Sequence, residues 1–347
     1  MGRQGAGPVP WLAVTASSDQ SATLDVVGIG NALVDVLSHE GDGFIEAHGL
    51  QKGAMTLIDT ERAEELYAAM SSGLEVSGGS AANTISGIAS FGGTSAYIGR
   101  VFDDKHGAVF AHDLRSLGVV FRAAPATDGP PTGRCLIIVT PDAQRTMNTY
   151  LGASEFFGPE HVDSELIESA QVTFFEGYLF DRPEAKEAYW KASRIAHDAG
   201  RKISLTLSDT FCVDRHRADW RDLVADQVDI LFANEEEALA LYEVDTFEEA
   251  LEAARADVEV AAITRGPAGS VIARGDEVIE VEAHPVEVID TTGAGDLYAA
   301  GFLYGYTHGR TMAECGQLGS IAASAVLGHT GPRPGVSLGQ LVTPLGY

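Results

Sequence analysis

The sequence predicts an α/β domain built on a mostly parallel, doubly wound sheet with helices on both faces, and three observations carry that prediction. Short β-branched runs alternate with stretches of helical apolar spacing along most of the chain. One run, Val228-Asp-Ile-Leu-Phe-Ala233, is nearly all apolar, as expected of a strand buried on both faces. Two stretches, 36–59 and 133–151, lack helical spacing and read as strand pairs, a small separate sheet set off from the main one.

Taken in order, the first 22 residues are rich in Gly, Pro, Ser and Ala. Their short apolar patch, Val9 to Val14, is broken by Pro10 and has no basic region before it. The stretch therefore reads as a disordered extension rather than a signal peptide. Regularity begins at Leu24. Asp25–Gly30, Ser95–Gly99, Val172–Tyr178, Ile203–Leu207, Val228–Ala233 and Val258–Thr264 read as strands. Thr60–Ser72, Ser80–Phe91, Lys105–Leu117, Pro183–Ala199 and Thr246–Ala256 carry helical spacing. Residues 133–151 turn back at 141–144, and Gly269–Ala283 is a hairpin with Gly275-Asp276 at its turn. One domain over 23–335 is expected, with 336–347 as a C-terminal tail.

Composition excludes several classes of protein. Hydrophobic residues make up 45% of the 347 positions, too many for a disordered chain. Fifty Asp and Glu against 23 Lys and Arg give a net charge of −27, which repels nucleic acid and anionic membranes alike. Between Glu235 and Glu259 acids dominate, and they read as the solvated faces of two surface helices. Cys135, Cys212 and Cys315 are far apart and odd in number, so they offer neither a disulfide framework nor a zinc pair. They read as free, mostly buried thiols of a reducing compartment, and the cytoplasm is the expected location. No apolar run approaches the length of a membrane span.

The most informative segment is Asp290-Thr-Thr-Gly-Ala-Gly-Asp296, placed after what reads as the end of a strand (Val286–Ile289) and before a helix apolar on all sides. Gly293 and Gly295 let the backbone turn sharply and present N–H groups at the positive end of the helix dipole, an anion site. An acid adds the wrong charge to a site that merely holds phosphate. It makes sense as a base that takes a proton from a hydroxyl while N–H groups hold a phosphoryl group. The plainer alternative has Thr292 or Asp296 capping the helix.

A second constellation is Gly30-Asn31-Ala-Leu-Val-Asp35 with Ser77-Gly-Gly-Ser-Ala-Ala-Asn83. Asp35 accepts two hydroxyl hydrogen bonds at once and Asn83 both donates and accepts, a combination suited to a vicinal diol. Asn31 and Ser80 as caps, with Gly78-Gly79 as a turn, explain the same residues equally well. Asn234-Glu-Glu-Glu237 is close to a capping box, the favoured reading, and its functional alternative puts Glu237 near magnesium through water. Thr264-Arg-Gly-Pro-Ala-Gly-Ser270 is either an ordinary turn or a backbone on which a nucleotide lies. Gly28-x-Gly30 lacks the third glycine of a dinucleotide fingerprint, and no glycine run ends in Gly-Lys-Ser/Thr, which counts against dehydrogenases and P-loop NTPases.

In this order and spacing the four segments resemble the PfkB family of carbohydrate and nucleoside kinases, also called ribokinase-like, from about Leu24 to Pro334. Asp290–Asp296 matches the C-terminal signature in full, and Gly78-Gly79-x-x-x-Asn83 the N-terminal one. The resemblance implies a doubly wound α/β domain with a small β-sheet lid formed by about 36–59 and 131–151. It implies transfer of the γ-phosphoryl group of ATP to a hydroxymethyl group, with Mg2+. Asp296 is then the base, and the amides of Gly293, Ala294 and Gly295 form the anion hole. Asn31, Asp35, Gly78, Gly79 and Asn83 hold the acceptor. Glu237 orders magnesium-bound water and Asn234 lies beside the phosphates. Thr264, Gly266 and Gly269 line the nucleotide site opposite Gly319 and Ser320. Many members bind a monovalent cation, commonly K+, near the counterparts of Asp290 and Thr292.

The stretches Gly30–Asp35, Arg145–Ala153 and Ser208–Arg215 resemble the bacterial branch commonly labelled adenosine kinase, and Ser80 stands where ribokinases typically carry Lys. Adenosine is the expected acceptor, with Met147 and Tyr150 as candidates to cover a purine. A free-sugar kinase of fructokinase or ribokinase type is the alternative, and a non-catalytic sugar- or nucleotide-sensing module the alternative of another class. The expected partner is a small molecule, with no nucleic acid and no membrane, bound by a monomer or homodimer.

Overall fold

The computed structural model describes residues 22–142 and 144–346, so the predicted N-terminal extension lies outside the described residues except for its last residue. The chain runs through β1 (Leu24–Ile29), β2 (Leu33–His39), α1 (Asp42–Ala47), β3 (Met55–Leu57), α2 (Thr60–Ala69) and β4 (Leu74–Gly78). It continues as α3 (Ser80–Phe91), β5 (Ser95–Ile98), α4 (Lys105–Ser116), β6 (Val120–Phe121), β7 (Thr132–Val139) and β8 (Arg145–Gly152). Then come α5 (Ser164–Ser169), β9 (Ala170–Glu176), α6 (Pro183–Asp198), β10 (Lys202–Thr206), α7 (Thr210–Gln227), β11 (Ile230–Asn234) and α8 (Glu235–Tyr242). The last elements are α9 (Phe247–Asp257), β12 (Val260–Thr264), β13 (Ser270–Arg274), β14 (Glu277–Val281), α10 (Ala294–Thr307), α11 (Met312–Leu327) and α12 (Leu338–Val342).

The main sheet has nine strands in the order β14-β13-β12-β11-β10-β9-β1-β5-β6, parallel from β12 to β6, with the β13–β14 hairpin antiparallel at one edge. Its pleat feeds two cores. Along β11, Ile230 and Phe232 join the core under α3, α10 and α11, while Leu231 and Ala233 join the core under α6 to α9. That two-sided burial is why this strand reads as almost continuously apolar.

The second sheet has five strands in the order β3-β8-β7-β2-β4 and lies over the carboxyl ends of the main strands. Its membership differs from the sequence expectation. Residues 36–59 are not a strand pair: α1 interrupts them, and β3 is only three residues long. The helix escapes a periodicity reading because it has under two turns and a single buried anchor, Ile45. The strand before it starts at Leu33, and β4 joins from outside the predicted stretch.

Three further differences have local causes. Val286–Ile289 is irregular rather than strand, tied to the main body by Ile289 N–H donating to the Leu327 carbonyl (2.8 Å). α7 has no clear stripe in the sequence because a break at His216 (φ −134°) splits Cys212 and Val213 from Trp220, Leu223 and Val224. The segment read as a C-terminal tail contains α12, whose Leu338 and Val342 are buried in the core beside α3. Cys135, Cys212 and Cys315 are free and buried, as expected. Among the described residues no helix is long and apolar enough to cross a membrane.

Candidate active site

A cavity of about 660 Å3 lies between the two sheets, at the carboxyl ends of β1 and β9 to β12. Ligands of open α/β sheets bind there, because strand order reverses around β1 and the loops part. Gly293 opens α10 with φ +78°, where a Cβ would come within 2.6 Å of the Pro332 carbonyl. Thr292, Gly293, Ala294, Gly295 and Asp296 all line the cavity at the start of α10, where the first N–H groups of a helix lack intrahelical partners; Ala294 N–H donates to the Thr291 carbonyl at 3.3 Å.

Asp296 is held from α3. Ser80 Oγ donates to Oδ1 at 2.6 Å and Asn83 Nδ2 donates to Oδ2 at 3.0 Å. Burial pushes its pKa up to about 6, while those two donors pull the other way. The carboxyl is thus ionised near neutral pH yet basic enough to accept a proton. Gly79 makes this placement of α3 possible: its φ is +99°, and a Cβ would run into the Asn31 carbonyl.

Opposite stands Asp35 on β2. Its carboxylate lies flat against Gly78, where a Cβ would displace it. Among the described residues no hydrogen-bond donor ends on it, so both oxygens are free for a ligand. Burial raises its pKa to about 6, opposed by the charges of Arg333 and Arg145 and assisted by Asp296. Asn31 is less free. Its backbone N–H and Nδ2 donate to Glu176 at 2.8 and 2.9 Å, and its Oδ1 accepts from Ser154 Oγ at 3.0 Å.

At the other end of the cavity, Asn234 and Glu237 form a full capping box, the reading favoured from sequence. Both Glu237 oxygens accept from Asn234, at 3.0 and 2.8 Å, and burial raises this carboxyl to about 7. Such a group fits magnesium through water better than as a direct ligand. Thr264 also lines the cavity.

Several expected site residues fall elsewhere. Tyr150 faces away, because on β8 the pleat sends Met147, Thr149 and Leu151 to the cavity and Tyr150 to the other side. There it accepts from Thr60 Oγ1 and lies beneath the Arg134 guanidinium. Gly266, Gly269, Gly319 and Ser320 are off the cavity wall; Ser320 bridges Glu282 O and His284 N–H. Asp290 has a full set of partners: Thr292 N–H and Oγ1, Gly331 N–H, and Arg145 Nη1 at 2.7 Å. Burial works against its ionisation, but these donors hold its pKa below the ordinary value. With Arg145 already supplying the positive charge, this carboxylate does not fit a monovalent cation.

Other residues escaped the sequence reading. The second sheet walls the cavity with Leu33, Met55, Leu57, Cys135, Ile137 and Leu151, which are ordinary strand residues until the pleat is known. Arg145 and Arg333 lie behind the cavity wall, on Asp290 and Asn83; Arg145 opens the stretch Arg145–Ala153 but drew no role from it, and Arg333 stands in no motif. Glu176, at the end of β9, has a pKa raised to about 7 by burial despite three N–H donors from Asn31 and Ala81.

The family described as pfkB family carbohydrate kinase matches residues 52–337. Among solved structures the chain is 50% identical to a probable sugar kinase protein from Rhizobium etli CFN 42, with a TM-score of 0.86 over 94% of this chain and 99% of that one. It is 51% identical to adenosine kinase from Sinorhizobium meliloti, with a TM-score of 0.86 over 94% of this chain and 100% of that one. Adenosine kinase from Saccharomyces cerevisiae is 26% identical over 337 residues, 89% of this chain and 96% of that protein.

Proposed function

Because the chain belongs to the pfkB family of carbohydrate kinases and is a kinase, we propose that it moves the γ-phosphoryl group of ATP to the 5′-hydroxyl of a nucleoside, adenosine preferred, giving AMP and ADP. One observation carries the choice of acceptor. The wall above Asp35 is Leu33, Met55, Leu57, Ile137, Met147 and Leu151, an apolar surface that covers a purine. A free sugar, ringed by hydroxyls, leaves several of them unpaired against such a wall. The similarity to adenosine kinase from Sinorhizobium meliloti supports the same choice.

In this reading the ribose diol pairs with the free oxygens of Asp35 and with the Asn83 amide, which directs the hydroxymethyl group toward Asp296. That carboxylate accepts the hydroxyl proton as the oxygen attacks the γ-phosphorus. The amides of Gly293, Ala294 and Gly295 receive the charge that spreads over the transferring group. Asn234 and Thr264 border the nucleotide's end of the cavity. When bound, Mg2+ neutralises phosphate charge, and Glu237 orients water around it. The second sheet acts as a lid that excludes water.

The similarity to the Rhizobium etli probable sugar kinase favours the second reading, a free-sugar kinase with the same base and anion hole. Membership of a kinase family sets aside the sensing module. A coupled ADP-release assay with Mg-ATP decides between acceptors, comparing adenosine, inosine, guanosine, ribose, fructose and 2-keto-3-deoxygluconate. Adenosine is expected to give the highest kcat/KM. A hexose outrunning every nucleoside overturns the acceptor while leaving the kinase.

A further inference from the structure

Arg333, in the loop after α11, lies behind the acceptor end of the cavity, next to the lining residue Pro332 and against Asn83, and the chemistry described so far gives it no task. Its Nη1 donates to Asp113 Oδ2 at 3.1 Å, an oxygen that also accepts from Ser77 N–H and Oγ just ahead of Gly78. Its Nε donates to Asn83 Oδ1 at 3.4 Å. Nη2 is buried and has no partner among the described residues. The Asn83 amide thus lies between a group that only donates and a carboxylate, Asp296, that when ionised only accepts. A flipped amide would set its NH2 against the guanidinium and its oxygen against the carboxylate, so a single orientation survives.

We propose that Arg333 is a positioning residue of the acceptor site: anchored on Asp113, it locks the Asn83 amide with its NH2 toward Asp296, and it sets a positive charge against Asp35. The inference rests on the reading of this cavity as a kinase acceptor site. The groups facing Asp35 are Arg333 from the C-terminal loop, Arg145 from β8, Asp296 from α10 and Cys135 from β7, with Asp113 behind Arg333. Of the two cations, Arg333 exerts the larger pull on Asp35. Its loss frees the amide to flip and makes Asp35 easier to protonate.

The test compares Arg333→Met, Arg333→Lys and Asp113→Asn with the wild type. For Arg333→Met the acceptor KM is expected to rise about tenfold, the worth of one charge-assisted hydrogen bond, with kcat and the ATP KM within a few-fold. The acid limb of kcat/KM should move to higher pH. Arg333→Lys keeps the charge without the fork, so it restores the acid limb but not KM. Asp113→Asn should fall between. A second measurement needs no turnover: titration of the Asp35 carboxyl carbon by NMR, with a midpoint near 6 in the wild type that rises in Arg333→Met and returns in Arg333→Lys. An unchanged acceptor KM and an unchanged Asp35 midpoint in Arg333→Met overturn the proposal. So does a loss of thermal stability that worsens KM for both substrates and kcat in parallel. A wild type that phosphorylates no acceptor refutes the kinase reading of the cavity, and the NMR titration still decides whether Arg333 governs Asp35.

Discussion

The nine-stranded sheet meets the cavity with the polar ends of its strands, whereas the five-stranded sheet meets it with the apolar side of a pleat. On the first, Asp296, Glu176 and Glu237 each accept two or three hydrogen bonds from defined donors. On the second, Leu33, Met55, Leu57, Ile137, Met147 and Leu151 offer area and shape, and Asp35 is the carboxylate among them. Preorganised dipoles suit a step in which charge moves, while apolar area suits a choice between ligands. In the proposed reading the main sheet therefore performs the transfer and the small sheet selects what receives it.

If that division holds, a change on each sheet should alter a different kinetic constant. The largest effect is expected from Asp296→Asn, which removes the base but keeps the side chain's shape: its one amide oxygen accepts from Asn83 Nδ2, and the Ser80 hydroxyl turns to accept from the new NH2. Turnover should fall by about 10²–10⁴-fold, the range of general-base contributions, with acceptor binding within a few-fold by calorimetry. Near-normal turnover would remove Asp296 from the chemistry. Next is Asp35→Asn, which exchanges charge-assisted hydrogen bonds for neutral ones. Its kcat/KM should drop by roughly 10–100-fold, mostly in the acceptor KM; a loss confined to kcat would break the comparison. Met147→Ala should raise the KM for a nucleoside by about tenfold through lost apolar contact, while leaving any residual activity on free ribose unchanged. An equal loss on both would mean that the wall does not select.

The smallest effect concerns stability. Burial raises Asp35 and Asp296 to about 6 and Glu176 and Glu237 to about 7, above the ordinary 3.8 and 4.5. Each group binds its proton more tightly in the folded chain, so its favourable contribution is complete below about pH 4. The contribution is lost as the pH rises through 6 to 7. Without ligands, Tm should therefore be a few degrees higher at pH 5 than at pH 8, read by calorimetry. A Tm that climbs over that interval would contradict the raised values.

The main sheet was largely legible because its strands and helices are long enough for periodicity to show, and α3 reads from Ser80 to Phe91 without error. Asp296, Asn83 and Gly79 stand in local motifs where a turn, a helix start and a polar residue coincide within a few positions. The small sheet was less legible. β3 has three residues, α1 six, and β4 pairs with a strand some forty positions earlier, so no local pattern announces them. Tyr150 shows how the pleat decides: chemistry nominated it, but its neighbours Met147, Thr149 and Leu151 take the cavity side. The roles of Arg145 and Arg333 were illegible for another reason. Each acts across the fold, on Asp290 and on Asn83, and nothing in the sequence links positions so far apart.

The most direct measurement is a crystal structure of the protein with adenosine and a non-hydrolysable ATP analogue. The 5′-oxygen should lie within about 2.6–3.2 Å of an Asp296 carboxylate oxygen, with the γ-phosphoryl oxygens facing the amides of residues 293–295. An acceptor hydroxyl bound out of reach of Asp296, or a γ-phosphate seated away from the first turn of α10, would contradict the account.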